Sequence, residues 1–274
     1  MSAATPSTGV AGAAFGIYPT RMNSTLRFTD RVENYVKARP GYPCEIVSLL
    51  ERRCGLTHGA TLVDVGCGTG LLAKPFCEYG CRVIGIEPNA AMRKAGQQFL
   101  AAYPNFEMAE GTAETVPLPG TSVDFIIAGQ AFHWFNQKEA RHEFMRILKP
   151  NGWTALIWND REFTGSKFAE DYENLLVRFG VDYAEVHQRG KIAVGSFEQF
   201  FGNSAFEQAT FPNDQQLDRD GFEARIRSSS YMPAAGHPNF AAMLDEIERI
   251  FARHQKNSNV TVRYQTNVYY GQMS

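Results

Sequence analysis

A chain of 274 residues with 44% apolar side chains is long enough for one large α/β domain with a sizeable core. Its 27 basic and 29 acidic residues leave a formal net charge of −2, which gives no electrostatic reason to bind nucleic acid or an anionic membrane surface. No apolar run approaches the roughly 20 residues that a membrane-spanning helix needs, so neither nucleic acid nor a bilayer is an expected partner.

Residues 1–24 are rich in Ser, Ala, Thr and Gly and lack the basic start and apolar centre of a secretory signal, so they read as a flexible N-terminal arm. In residues 28–43, Thr29 or Asp30 can cap a helix whose apolar face carries Val32, Tyr35 and Val36. Pro40 stops that helix, and R-P-G-Y-P is a turn. The segment reads either as a lid that turns Tyr35 and Arg39 toward a ligand or as a packing helix with a solvated arginine. A second helix runs from Pro43 to Cys54 on the stripe Ile46, Val47, Leu49 and Leu50.

All five cysteines fall in the first third, and Cys67 sits where a disulfide would crowd a ligand. Cys77 and Cys81 have no second pair and no clustered histidines, so no metal site is expected. Reduced thiols and a cytoplasmic location are the expectation.

Residues 61–89, T-L-V-D-V-G-C-G-T-G-L-L-A-K-P-F-C-E-Y-G-C-R-V-I-G-I-E-P-N, read as strand, glycine turn, helix and strand, a βαβ unit. In such sheets ligands bind beyond the carboxyl ends of the strands, where both the glycines and Glu87 lie. The motif Gly66-x-Gly68-x-Gly70 is not the dinucleotide fingerprint, because Leu71 stands at the third-glycine position. Glu87 lies 21 residues beyond Gly66, where a carboxylate can accept hydrogen bonds from two ribose hydroxyls. With Asp64 two residues before the glycines, the unit is read as nucleoside-binding.

Further helices are expected from Pro88 to about 102 and from about 137 to 148. Strands are expected over 106–109, 123–128 and 153–158, with a sixth at 206–211. Residues 160–202 look helical and aromatic-rich, 218–229 and 239–255 suit helices, and 260–270 alternates like a last strand that joins the sheet antiparallel. Strands and helices alternate without a repeat, which predicts a single wound sheet.

Taken together, R-P-G-Y-P, D-V-G-C-G-T-G, G-I-E-P-N, E-G-T-A-E, Q-A-F-H-W-F, R-I-L-K-P-N-G and S-Y-M-P resemble the class I S-adenosylmethionine-dependent methyltransferases. The likeness is strongest to the type 11 branch that includes trans-aconitate methyltransferase-like proteins. It implies a Rossmann-like fold over residues 25–274: a mostly parallel seven-stranded sheet, an antiparallel last strand, and helical cap elements at about 25–43 and 160–202.

The resemblance also implies roles. Asp64 and the turn Gly66, Cys67 and Gly68 would surround the methionine part of S-adenosylmethionine, and Glu87 would take the ribose hydroxyls. Pro88 and Asn89 would flank the adenine, and Thr112, Ala113 and Glu114 would read its edge. Many relatives carry Asp where Thr112 stands, and a neutral hydroxyl is the weaker acceptor. Gln130 and Ala131 would lie beside the methionine arm, Arg39 would pair with the cofactor carboxylate, and Tyr35 would stack nearby. S-adenosylhomocysteine would be the product.

His133 is the candidate general base, since imidazole titrates near neutral pH; ordering its loop or contacting the cofactor is the alternative. Trp134 and Phe135 would wall the pocket, with a place in the core as the alternative for either, while Arg225, Ser230, Tyr231 and His237 fall in the region expected to cover the substrate. Arg225 or Arg227 would suit an anionic substrate, although an arginine on a helix usually faces solvent. The expected reaction is methylation of a small molecule, with hydroxyl or carboxylate oxygen favoured. The rival readings are an enzyme that uses the same cofactor for a rearrangement or cyclisation, a nicotinamide oxidoreductase, and a relict binding protein. Monomer and homodimer are both left open.

Overall fold

The computed structural model describes residues 38–184, 194–202 and 206–273. Tyr35, and with it most of the expected lid helix, lies outside the described residues, as does the N-terminal arm. Helix α1 (Glu45–Cys54) buries Ile46, Val47, Leu49 and Leu50, and ends at Gly55 in the left-handed region that glycine adopts most readily. Then come β1 (Thr61–Val65), α2 (Ala73–Tyr79), β2 (Arg82–Ile86), α3 (Ala90–Phe99), β3 (Phe106–Ala109), β4 (Val123–Gly129), α4 (Gln137–Ile147) and β5 (Leu148–Arg161). The second half adds α5 (Lys167–Phe179), α6 (Val194–Phe201), β6 (Glu207–Pro212), β7 (Gln215–Leu217), α7 (Arg219–Arg227), α8 (Phe240–His254), β8 (Val260–Val262) and β9 (Tyr264–Gln272).

Seven strands form one sheet in the order β3-β2-β1-β4-β5-β9-β6. Strand β9 runs antiparallel between β5 and β6, and the pairings from β3 through β5 are parallel. This is the α/β architecture that the sequence predicts, with the antiparallel last strand inserted one place from the edge. The chain winds outward in opposite directions from β1 and β4, so a crevice opens at their carboxyl ends.

Alternate residues of the central strands feed two cores. One face packs Leu62, Val83, Phe125 and Ile157 against α1 and α2; the other packs Val63, Ile84, Ile126 and Leu156 against α4 and α6. Burial on both faces explains why these strands are continuous apolar runs rather than alternating ones.

A third core sits apart from the sheet layers. It joins Tyr172, Leu175, Leu176 and Phe179 of α5 to Phe222 and Ile226 of α7, to Met243, Ile247 and Ile250 of α8, and to Val260 and Val262 of β8. Of residues 160–202, α5 belongs to this third core, which it shares with α7, α8 and the small β7–β8 sheet. Within that range β5 continues to Arg161. Helix α6 packs Phe197, Phe200 and Phe201 on the sheet, with Phe200 edge-on to Phe132 at 4.7 Å between ring centroids. The expected single strand at 260–270 divides at Arg263, one part pairing with β7 and the other with β5 and β6. Among the described residues no helix is long and apolar enough to cross a membrane.

Candidate functional site

The site is built at the carboxyl ends of β1, β2 and β4. Gly66 and Gly68 adopt φ values of +71° and +58°. At Gly66 a side chain would also collide with its neighbour across the crevice, because a Cβ there would stand 2.6 Å from the Ala131 Cβ. The glycine therefore permits both a left-handed backbone and a close approach. The amides of Gly66 and Cys67 donate to the Ile86 carbonyl at 2.9 and 3.1 Å, tying the turn to the end of β2.

Glu87 completes that tie. Its Oε2 accepts from the Gly68 amide at 3.0 Å and its Oε1 from the Asn89 amide at 2.8 Å. Burial raises the pKa of this carboxyl above the ordinary value, and the two amides oppose the shift. Each oxygen keeps a lone pair for a further donor. The Asn89 side chain caps α3 by accepting from the amides of Ala91 and Met92, so its contribution to a ligand is its place beside Glu87. Arg93 reaches back to the carbonyls of Glu87 and Pro88, both at 2.8 Å, and fixes the turn.

Around this turn lies a cleft of about 480 Å³ lined by Gly66, Gly68, Glu87, Pro88, Asn89, Thr112, Ala113, Glu114, Gln130, Ala131 and Trp134. Residues predicted from four separate stretches thus meet in one cavity. Phe135 lines it beside Trp134, and Met92, Asn136 and Glu139, which were not anticipated, line it as well. Glu114 accepts the Asn136 amide at 2.7 Å, so it holds the loop that carries Trp134 as well as lining the cleft. Thr112 pairs with Thr115 through backbone hydrogen bonds, which shape the turn that presents Ala113.

An inner cavity of about 240 Å³ continues past Gly66, Gly68, Gln130 and Trp134, which line both spaces. Its further walls include Arg39, Asp64, Cys67 and His133, with Arg225, Ser230 and Tyr231 coming from the cap side. His237 is exposed and lines neither cavity. Tyr42, Asn159 and Tyr264 are further unanticipated walls. Asn159 stands at the end of β5, so the strand-end rule that located Glu87 could have found it. Its Nδ2 donates to the Gly41 carbonyl at 3.0 Å and its Oδ1 accepts from Thr266 at 2.6 Å, fastening the R-P-G-Y turn to the sheet.

Three residues of this inner space are held in costly states. Asp64 is buried, and neither carboxylate oxygen has a hydrogen-bond partner of ordinary geometry among the described residues. Burial pushes its carboxyl up to about 7; the Cys67 thiol and Ala73 amide oppose the shift, and the Glu87 charge adds to it. His133 has a buried Nδ1 with no partner among the described residues, and burial pushes the imidazole down to about 4. Gln130 takes φ +55°, a conformation that non-glycine residues hold only when their surroundings impose it. Its amide donates to the Ile157 carbonyl and its Nε2 to the Asn159 carbonyl, both at 2.9 Å, which supplies that constraint. Unsatisfied polar groups and strain at one crevice are the signature of a built ligand site.

The two cavities fit a nucleoside with an amino-acid tail. Glu87 offers acceptors for vicinal hydroxyls, Ala113 and Pro88 flank space for a base, and Asp64 and Arg39 offer one anion and one cation beyond the glycine turn. Among the described residues no group of three or more His, Cys, Asp or Glu side chains could hold a metal ion.

Residues 63–156 match the family model described as a methyltransferase domain. An uncharacterised methyltransferase of Schizosaccharomyces pombe is 27% identical over 247 residues, 88% of this chain and 95% of that protein. An uncharacterised methyltransferase of Mycobacterium bovis is 35% identical over 144 residues, 52% of this chain and 56% of that one. The fold is shared with a candidate type II methyltransferase from Anaeromyxobacter dehalogenans, at TM-score 0.57 and 19% identity over 85% of this chain and 96% of that one. It is also shared with a Haemonchus contortus phosphoethanolamine N-methyltransferase solved with S-adenosylhomocysteine, at TM-score 0.52 and 14% identity over 89% of this chain and 57% of that one. Residues 63–156 thus carry a methyltransferase domain, and the chain is similar to S-adenosylmethionine-dependent methyltransferases, which implies S-adenosylmethionine as methyl donor and S-adenosylhomocysteine as product.

Proposed function

We propose that this methyltransferase acts on an oxygen of a small molecule held in the inner cavity, between the glycine turn and the cap. The observation that carries the reading is the size and lining of that space. About 240 Å³, walled by Gln130, His133 and Trp134 on the sheet side and Arg225 and Tyr231 on the cap side, suits a small acceptor rather than a polymer. The five unbridged thiols accord with a reducing, cytoplasmic setting.

When bound, S-adenosylmethionine supplies an electrophilic methyl group on a sulfonium. The chain's own residues have three tasks. Glu87, Pro88, Asn89, Thr112, Ala113 and Glu114 bind the nucleoside in the outer cleft. Asp64, Arg39, Gly66, Cys67, Gly68, Gln130 and Ala131 surround the amino-acid part. Trp134 and Tyr231 wall the inner cavity and position the acceptor, so that orientation carries most of the rate, an effect that supplies about 7–11 kcal/mol in well-aligned reactions. His133, held well below its usual range, takes up a proton poorly at neutral pH. An acceptor oxygen that is already ionised asks least of it, and a carboxylate therefore fits better than an alcohol.

The test is transfer of tritiated methyl from S-adenosylmethionine to a metabolite panel, with bulk protein and RNA as parallel acceptors. Mass spectrometry of the labelled product should show an O-methyl ester or ether of a small molecule. Label confined to macromolecules, or to nitrogen or carbon, would refute the reading.

A further inference from the structure

The turn that carries Arg39 and Tyr42 is gripped by side-chain amides. Residues 39–43 belong to neither a helix nor a strand, and Pro40 and Pro43 bring no amide N–H of their own. Two carbonyls at and beside the turn are held from three separate places in the chain. The Gly41 carbonyl accepts from Asn159 Nδ2 at 3.0 Å and from Asn213 Nδ2 at 2.8 Å, so both of its lone pairs are used. The Ala38 carbonyl accepts from Gln215 Nε2 at 3.0 Å. Arg39 reaches from the turn to the Ser228 carbonyl at the end of α7, at 3.1 Å.

Asn159 is the member of this clamp that also belongs to the site. It is buried and lines the inner cavity. Both polar atoms of its side chain are engaged: Oδ1 accepts from Thr266 Oγ1 at 2.6 Å and from Asn213 Nδ2 at 3.1 Å, while Nδ2 donates to Gly41. Its backbone carbonyl accepts from Gln130 Nε2 at 2.9 Å. One residue thus touches the turn on one side and the strained Gln130 on the other. Turn and sheet are also in close contact. A Cβ at Gly129, the residue before Gln130, would stand 2.5 Å from the Tyr42 hydroxyl. The gap between them leaves no room for a methyl group, so the height of the turn above β4 is set and with it the place of Arg39. A side chain whose polar atoms are already spent inside the protein holds other groups rather than a ligand.

Resting on the reading that Arg39 meets the amino-acid end of S-adenosylmethionine, we propose that Asn159 is a positioning residue for the cofactor. Through the Gly41 carbonyl it holds the turn where Arg39 faces the cofactor carboxylate, and it acts on the ligand only through that turn. Asn213 is the second jaw on the same carbonyl. An amide suits the place because it donates to Gly41 and accepts from Thr266 at once, which neither a carboxylate nor an apolar side chain can do.

Calorimetry of S-adenosylhomocysteine binding to the full chain tests this through a double-mutant cycle. Arg39→Gln should lower the affinity at least tenfold, and Asn159→Ala at least fivefold. The double variant should bind no more than twofold worse than Arg39→Gln alone, because a turn without its arginine has no cation left to misplace. Hydrogen exchange at the amides of Arg39, Gly41 and Tyr42 should quicken at least tenfold in Asn159→Ala, while β1 and β4 keep the wild-type rate. Asn213 is half-buried and is not among the cavity walls. Asn213→Ala should lower the affinity about threefold, again only while Arg39 is present, and it decides the matter if Asn159→Ala fails to fold. Affinity within twofold of wild type in Asn159→Ala overturns the proposal. Losses that multiply in the double variant overturn it too, by assigning Asn159 a contact of its own with the ligand, and they leave Arg39 at the cofactor. Arg39→Gln within twofold of wild type removes Arg39 from the cofactor and the proposal with it.

Discussion

Glu87 does two jobs with one carboxylate. It receives the amides of Gly68 and Asn89, and it faces the outer cleft with the lone pairs that remain. Truncating it removes acceptors from the ligand and one of the three hydrogen bonds that tie the glycine turn to the end of β2. Glu87→Ala should therefore weaken S-adenosylhomocysteine binding by at least the about 1.5–3 kcal/mol of one hydrogen bond to a charged group, measured by calorimetry. An unchanged affinity would take Glu87 away from the ribose. Glu87 was legible because its distance from Gly66 is a chain-local fact. Arg225 was named as a candidate for an anionic substrate, but its burial was not legible: helical spacing says which residues share a face, while the partner that turns this one inward is Tyr264, 39 residues away in a strand. The poor basicity of His133 was equally hidden, since it comes from burial, a property of neighbours rather than of the motif Q-A-F-H-W-F.

At the scale of elements, the glycine turn can be divided into a backbone requirement and a space requirement. Gly55 and Gly66 have nearly the same φ, +72° and +71°, but a Cβ at Gly55 meets nothing within 4 Å while one at Gly66 meets the Ala131 Cβ at 2.6 Å. Gly55→Ala should cost only the left-handed strain of about 1–2 kcal/mol in unfolding free energy. Gly66→Ala should cost more, because the ends of β1 and β4 must part, and should lower S-adenosylhomocysteine affinity at least tenfold. Equal losses in the two variants, with binding intact, would mean that the close approach to Ala131 is unimportant. The βαβ unit was readable because buried parallel strands are short apolar runs cut off sharply by glycines. The C-terminal strand joins the sheet antiparallel as expected, but its start was misplaced for an equally physical reason. Burial alternates without a break from Val260 through Tyr270, so the period of two continues through Arg263 although the chain there passes from one sheet to another. The phenylalanines of α6 could not be assigned to a layer either, because an aromatic helix face suits the cap core and the sheet core alike.

For the whole molecule, the inner cavity couples folding to pH through two groups with opposite signs. Folded Asp64 titrates near 7 against an ordinary 3.8, so between these values the native chain keeps a proton that the unfolded chain has released. Its contribution to stability is fully present below about 3.8 and is lost as pH rises through about 7. His133 titrates near 4 against an ordinary 6.5, so the unfolded chain holds the extra proton and stability rises with pH over that window. Each slope is about 1.4 kcal/mol per pH unit where one proton separates the states. The two contributions nearly cancel between about 4 and 6.5, and Asp64 alone remains just above. Urea unfolding of the unliganded chain should therefore separate them. Asp64→Asn should leave a profile that rises through that window relative to wild type, and His133→Gln one that falls. Parallel profiles for all three proteins would show that neither group is perturbed as its burial implies. Ligand binding then has a defined consequence: a cationic group in the inner cavity favours the ionised form of Asp64. Saturation with S-adenosylhomocysteine, which keeps the ammonium, should pull that carboxyl back toward its ordinary range and flatten the decline above pH 6.5 in wild type, but not in Asp64→Asn, where no decline exists to be removed.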